Sequence, residues 1–170
     1  MLNLEKQYLF YRNYHKNPVN QLLHIYSIPL LVITISIWGS YSGSILDTEW
    51  FFLPSEFNIT AILCCLYSIY YIILNPWLGL LMTLILWTIQ VFSFLAYKAF
   101  PNIWILAVII HIKSWVIQLL GHSIFEKNKP AFLTGFVQSF LMAPLFVLME
   151  VCFAFGFFNG LKSRIEQKAN

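Results

Sequence analysis

Charge is what this sequence has least of. Only 10% of its residues are Asp, Glu, Lys or Arg, where a soluble domain carries about 25%, so a fold kept in solution by a charged surface is excluded. Cysteine is scarce as well. Cys64, Cys65 and Cys152 all lie inside apolar runs, with no Cys-x-x-Cys spacing and no even count, which argues against a disulfide framework or a thiolate metal site. There is no Gly-x-Ser-x-Gly, no Gly-rich phosphate loop and no Gly-x-Gly-x-x-Gly. Serine hydrolase, P-loop and dinucleotide chemistry therefore find no support. The net charge of +3 comes from a few basic residues at the ends of apolar segments. That pattern suits anionic lipid headgroups and offers no stripe for nucleic acid. Internal repeats, low-complexity tracts and linkers are missing too.

What the chain has instead is apolar side chains, 59% of its 170 residues, with a mean hydropathy of +0.72. These values predict an integral membrane protein, all-α, a polytopic transmembrane bundle forming one membrane domain over 1–170. The N-terminus lacks the charged, apolar, small order of a cleavable signal, so the first membrane helix is expected to be its own insertion signal. Residues 1–21 carry Tyr8, Tyr11 and Tyr14 with His15 at helical spacing and read as an amphipathic helix at the membrane surface. Pro18 is expected to end or restart that helix, because it has no amide donor and biases Asn17 away from helix. Spans are predicted at 22–41, 57–74, 77–97, 103–120 and 136–158. The last contains Gln138, Pro144 and Glu150, and it is expected to break at Pro144 and turn back. The loop after the first span holds Asp47, Glu49 and Glu56 without Lys or Arg, whereas Lys6, Arg12 and Lys16 precede that span. By the positive-inside rule the N-terminus is cytoplasmic. Four crossings then return the chain to the side on which it began, which would gather His15, His24 and His122 at one membrane face.

The densest chemistry lies between Gln118 and Pro130. If Gln118 to Glu126 is α-helical, Gln118, His122 and Glu126 share one face that could hold a metal or move protons. The plain alternative is a helix leaving the bilayer, with Glu126, Lys127 and Lys129 in water. Asn20 and His24 stand one turn apart on the next helix. Neutral imidazole is a good ligand for iron, copper and zinc. His111 is harder to include, because 11 residues of straight helix separate it from His122 by roughly 16 Å, and ligands must come within about 2 Å of the ion. Two histidines with Glu126 could make the facial triad of a non-haem iron oxygenase, and the spacing does not choose between that and an all-histidine site. A carboxylate such as Glu150 inside an apolar run marks either function or a hydrogen-bonded structural role. A haem-binding cytochrome and a small transporter or scaffold, its polar path lined by Glu150, Gln118 and His111, stay open as rival readings.

Three groups of residues carry a resemblance. They are Tyr-His-Lys-Asn-Pro-Val-Asn at 14–20 with His24 and Pro29, Trp-x-x-Gln-x-x-Gly-His-x-x-Phe-Glu-Lys-x-x-Pro-Ala at 115–131, and Gln138-Ser139 with Ala143-Pro144 and Glu150. Together they resemble the membrane-bound 2-hydroxy fatty acid dioxygenase family; residues 40–100 match in hydropathy only, and Thr134-Gly135 stand where relatives carry Asp-Asn. The resemblance implies an Fe2+ enzyme of fatty acid α-oxidation. It would use dioxygen to shorten a 2-hydroxy fatty acid by one carbon in phytosphingosine breakdown, at the endoplasmic reticulum or, in a bacterium, the inner membrane. It also implies that His15, His24 and His122 are metal ligands, with His111 outside the motif. Gln118, Glu126 and Glu150 are then the expected catalytic side chains. Asn20, Lys127 and Lys129 are the expected substrate contacts, with membrane lipid around the acyl tail.

Overall fold

Asparagine side chains set where several of the helices begin. In the computed structural model, which describes residues 3–45, 57–127 and 136–169, the Asn3 carboxamide accepts from Lys6 N to open α1 (Leu4–Tyr14). Asn17 Oδ1 accepts from Val19 N at the start of α2 (Pro18–Ser40). Asn58 Oδ1 caps α3 (Ile59–Leu74), and Asn75 both ends α3 and caps α4 (Pro76–Ala99). Each supplies an acceptor to amides that the first turn of a helix leaves without partners. Pro18 and Pro76 occupy first helical positions, where a missing N–H costs nothing. The remaining elements are α5 (Ile103–Leu120), a π-helical segment (Gly121–Glu126), α6 (Phe136–Ala154) and α7 (Asn159–Ala169). Among the described residues the chain is all-helical, as expected, with seven α-helices and no strand.

Among the described residues three helices are long and apolar enough to cross a membrane: Pro18–Ser40, Pro76–Ala99 and Ile103–Glu126. The 16-residue α3 falls short of the roughly 20 residues a crossing needs. The last apolar run differs from expectation. Pro144 lies inside α6, which continues through it, since one lost amide leaves the neighbouring turns bonded. The chain bends by 108° between α6 and α7 instead. There Gly156 takes φ +77°, Gly156 N–H bonds Phe153 O and Phe157 N–H bonds Cys152 O. That pair of bonds is the Schellman ending, which needs a left-handed residue at this position and so favours glycine. The acidic loop residues Asp47, Glu49 and Glu56, together with Lys129, Pro130, Ala131, Thr134, Gly135 and the Gln138 side chain, lie outside the described residues.

The chain divides into two compact units, Met1–Ile28 with Trp115–Asn170, and Pro29–Ser114. In the first, α1 turns Leu4, Tyr8 and Tyr11 inward and packs on α6 and α7. Tyr8 meets Phe146 and Phe153 edge to face. Glu5 pairs with Arg164, at 3.0 Å, and with Lys168. In the second unit α3 and α4 pack along each other around a buried carboxamide pair. Asn58 Oδ1 accepts from the amides of Thr60 and Ala61, from Thr60 Oγ1 and from Gln90 Nε2.

Asn58→Ala strips the acceptor from those buried donors and is expected to cost about 2 kcal/mol or more. Asn75→Ala, which removes a half-buried cap, is expected to cost about 1 kcal/mol. Thermal unfolding in detergent checks the order, and equal losses would count against it.

Candidate metal centre

His15 closes α1, where its backbone N–H bonds Arg12 O, and its ring lies flat on Tyr11 with centroids 4.0 Å apart. Its Nδ1 is 2.9 Å from Tyr11 O. His24, two turns into α2, sits the same way against Asn20 O, also at 2.9 Å. A carbonyl can only accept, so both rings carry their proton on Nδ1 and keep a lone pair on Nε2. His122 comes from the π segment. Its ring centroid is 4.7 Å from His15 and 4.9 Å from His24, and those two are 4.5 Å apart. All three residues are at most 5% exposed, and their candidate ligand nitrogens lie within 4.8 Å of one another.

The residues fit a bound transition-metal ion. His15 Nε2 and His122 Nδ1 are buried and have no hydrogen-bond partner among the described residues, a state that a cation would relieve. Three neutral nitrogen donors suit divalent iron, copper or zinc. Burial pulls the His15 imidazole from its ordinary 6.5 down to about 3, with His24 and then His122 adding to it and the Tyr11 carbonyl opposing it. The ring is therefore neutral, as a ligand must be.

What brings His122 to the other two is the approach of the π segment to the start of α2. A Cβ on Gly121 would stand 2.4 Å from Asn20 Oδ1 and 3.2 Å from Leu23 Cδ1, so only glycine allows the contact. Glu126 Oε1 accepts from Asn17 N at 2.8 Å and from Asn20 Nδ2 at 3.1 Å. The expected uninterrupted α-helix from Gln118 to Glu126 is thus replaced by the wider turn from Gly121 on, which re-aims His122 and Glu126.

Other candidates are placed differently. Glu126 is committed to α2 and is not in the histidine group, so the structure does not assemble the facial triad with it. His111 belongs to the unit Pro29–Ser114. Thr34 Oγ1 gives its proton to Leu31 O and accepts from His111 Nδ1 at 2.8 Å, with Trp38 against the ring. Glu150 accepts from the Tyr8 hydroxyl at 2.7 Å. Gln118 is buried with Nε2 unpartnered. Asn20 is fully buried against Glu126 rather than open to a ligand. Lys127 is exposed at φ 51° and closes the π segment through its N–H to His122 O. Tyr11, Asn17 and Gly121 enter the sequence reading only through helical spacing, the break before Pro18 and the Gly-His motif, with no role assigned at the site; the four-residue step from Tyr11 to His15 was the readable signal for Tyr11.

Two outcomes follow from this geometry. Because the folded His15 releases its proton more readily than the unfolded chain, the unfolded state binds more protons between about pH 6.5 and 3. The metal-free protein should lose melting temperature as pH falls through that window, and His15→Gln should flatten part of the slope. Gly121→Ala should lower metal affinity about tenfold or more while the helices still form, as read by metal titration alongside circular dichroism; unchanged affinity would show that the close approach does not set the site.

Known proteins resemble the chain over nearly its whole length. The family model described as 2-hydroxy-palmitic acid dioxygenase Mpo1-like matches residues 1–155. The 2-hydroxy-palmitic acid dioxygenase MPO1 of Saccharomyces cerevisiae is 32% identical over 171 residues, covering 98% of this chain and 89% of the yeast protein. No solved structure gives a significant match. The three clustered histidines all fall inside the matched residues, and the chain belongs to the 2-hydroxy-palmitic acid dioxygenase Mpo1-like family.

Proposed function

We propose that this chain is an iron(II)-dependent dioxygenase of fatty acid α-oxidation, converting a 2-hydroxy fatty acid to the acid one carbon shorter. The observation that carries the reading is the group of three buried imidazoles, His15, His24 and His122, with candidate ligand atoms within 4.8 Å of one another. Three neutral protein ligands leave positions open for substrate oxygens and dioxygen. The yeast relative is named for 2-hydroxy-palmitic acid, and the same substrate class is assigned here. One hydroxy acid and one dioxygen give the shortened acid, carbon dioxide and water: the C1–C2 bond breaks, C2 becomes the new carboxyl carbon and dioxygen is reduced.

Iron bound at the centre would bring dioxygen and the α-hydroxy-carboxylate together and supply the redox chemistry. The chain's own residues do the rest. His15 and His24 hold their protons on Nδ1 through backbone carbonyls, which keeps Nε2 available. Glu126 fixes the π segment to α2, so its role is positioning. Glu150 anchors Tyr8 and supports the wall behind His15. Burial of all three rings excludes bulk water, and the aromatic-rich helices offer an apolar route for the acyl tail from within the bilayer. Lys127 and Lys129 would attract the substrate carboxylate at the surface. The host would be the endoplasmic reticulum in a eukaryote or the inner membrane in a bacterium. The N-terminus and the centre would face the cytoplasm, and the reaction would serve phytosphingosine breakdown. The haem reading loses ground, because rings only 4.5–4.9 Å apart and set edge to face leave no slot between them for a porphyrin.

His15→Ala, His24→Ala and His122→Ala should each abolish iron retention and turnover while the protein still inserts. Metal analysis of anaerobically purified protein and assay of odd-chain acid from 2-hydroxypalmitate check this. Normal odd-chain acid from all three variants, or a strong Soret band in the wild type, would refute the assignment.

A further inference from the structure

Buried polar atoms without partners can be sorted by what would satisfy them. Near the three histidines, His15 Nε2 is a lone pair awaiting a cation. The Tyr11 hydroxyl is buried and equally without a partner among the described residues, but a phenol carries a proton to give. Gln118 Nε2, a turn before the π segment, is a second unpartnered donor. The stacked pair of Tyr11 and His15 thus asks for an acceptor and for positive charge at once.

Tyr11 is the better defined of the two donors. It is 6% exposed, its ring is stacked on His15 with an interplanar angle of 17°, and its other side meets Phe146 at 4.7 Å. Tyr8, three residues earlier on the same face of α1, gives its hydroxyl to Glu150. The Tyr11 hydroxyl has the same kind of setting and no such acceptor among the described residues. Phenylalanine would fill this space without leaving a buried hydroxyl unsatisfied.

The substrate class proposed above has the missing group. An α-hydroxy acid that chelates an ion through its hydroxyl and one carboxylate oxygen keeps the second carboxylate oxygen free. That oxygen can only accept. His15 and His24 have no proton to offer it, since their Nδ1–H groups are committed to Tyr11 O and Asn20 O. We infer that the Tyr11 hydroxyl binds the free carboxylate oxygen of the hydroxy-acid substrate and so selects a free acid, a role that rests on the proposed function. Tyr11 then recognises the carboxylate inside the site, whereas Lys127 attracts it only from outside.

The test uses the full chain in detergent, loaded with Fe2+ and kept without oxygen, and compares binding of 2-hydroxypalmitate with binding of 1,2-hexadecanediol, which lacks the carboxylate. Tyr11→Phe keeps the ring on His15 and deletes only the hydroxyl. It should weaken acid binding about tenfold or more, leave diol binding within about twofold, retain iron, and melt no lower than wild type when metal-free. Tyr8→Phe, which strands Glu150, should melt lower. Equal loss of acid and diol, unchanged acid binding, or a lower metal-free melting temperature for Tyr11→Phe would overturn the inference while the proposed function stands. A wild-type protein that holds no iron or ignores the acid overturns the proposed function, and this role with it.

Discussion

The centre depends on one contact, the docking of the π segment after α5 on the first turn of α2. A single carboxylate oxygen of Glu126 accepts from Asn17 N and Asn20 Nδ2, and the bare backbone at Gly121 lets Asn20 come close. Hydrogen bonds to a charged acceptor are each worth about 1.5–3 kcal/mol, enough to hold a short irregular segment in one register. Without this contact His15 and His24 would still be neighbours, since Gln21 Nε2 bonds His15 O across the break between α1 and α2. The third imidazole would not be fixed.

The same region accepts a stability cost elsewhere. His15, His122, Tyr11, Asn20 and Gln118 each bury a polar atom without a partner among the described residues, and such atoms are costly in a folded protein. They adjoin a wall that is otherwise well satisfied, with Tyr8 on Glu150 and both Nδ1 groups of His15 and His24 on carbonyls. Such atoms occur elsewhere too, at Ser27, Asn58, Ser68, Thr83, Gln90, Ser114 and Ser139, but His15 Nε2, His122 Nδ1 and the Tyr11 hydroxyl are of the kinds that an ion and an anionic ligand would fill.

The all-helical class was legible from composition, and the breaks at Pro18 and Asn75-Pro76 from proline chemistry, because those are local effects. The pairing of His15, His24 and His122 was also legible, from the break at Pro18 and from a crossing count that returned the chain to its starting side. The count itself included α3, which is only 16 residues long. What could not be read was the irregular backbone. Nothing in Gly-His-Ser-Ile-Phe-Glu announces a π turn over an α turn, so Glu126 was placed on the face of His122 when it in fact reaches Asn17, 109 residues away. The role of Gly156 was hidden for a related reason. Pro144 is the louder local signal, but α6 continues through it, while the 108° bend falls where Gly156 takes left-handed backbone.

The order of the ligands along the chain has a consequence for biosynthesis. His15 and His24 leave the ribosome early, yet the group closes only when residue 122 and the Glu126 latch have emerged. A polypeptide that stops short of residue 122 offers only two of the three imidazoles, so the group forms only after α5 has been made. An ion held by all three rings would therefore be bound only after the start of α2 and the π segment have met, and a fragment ending before α5 would lack one of the three imidazoles.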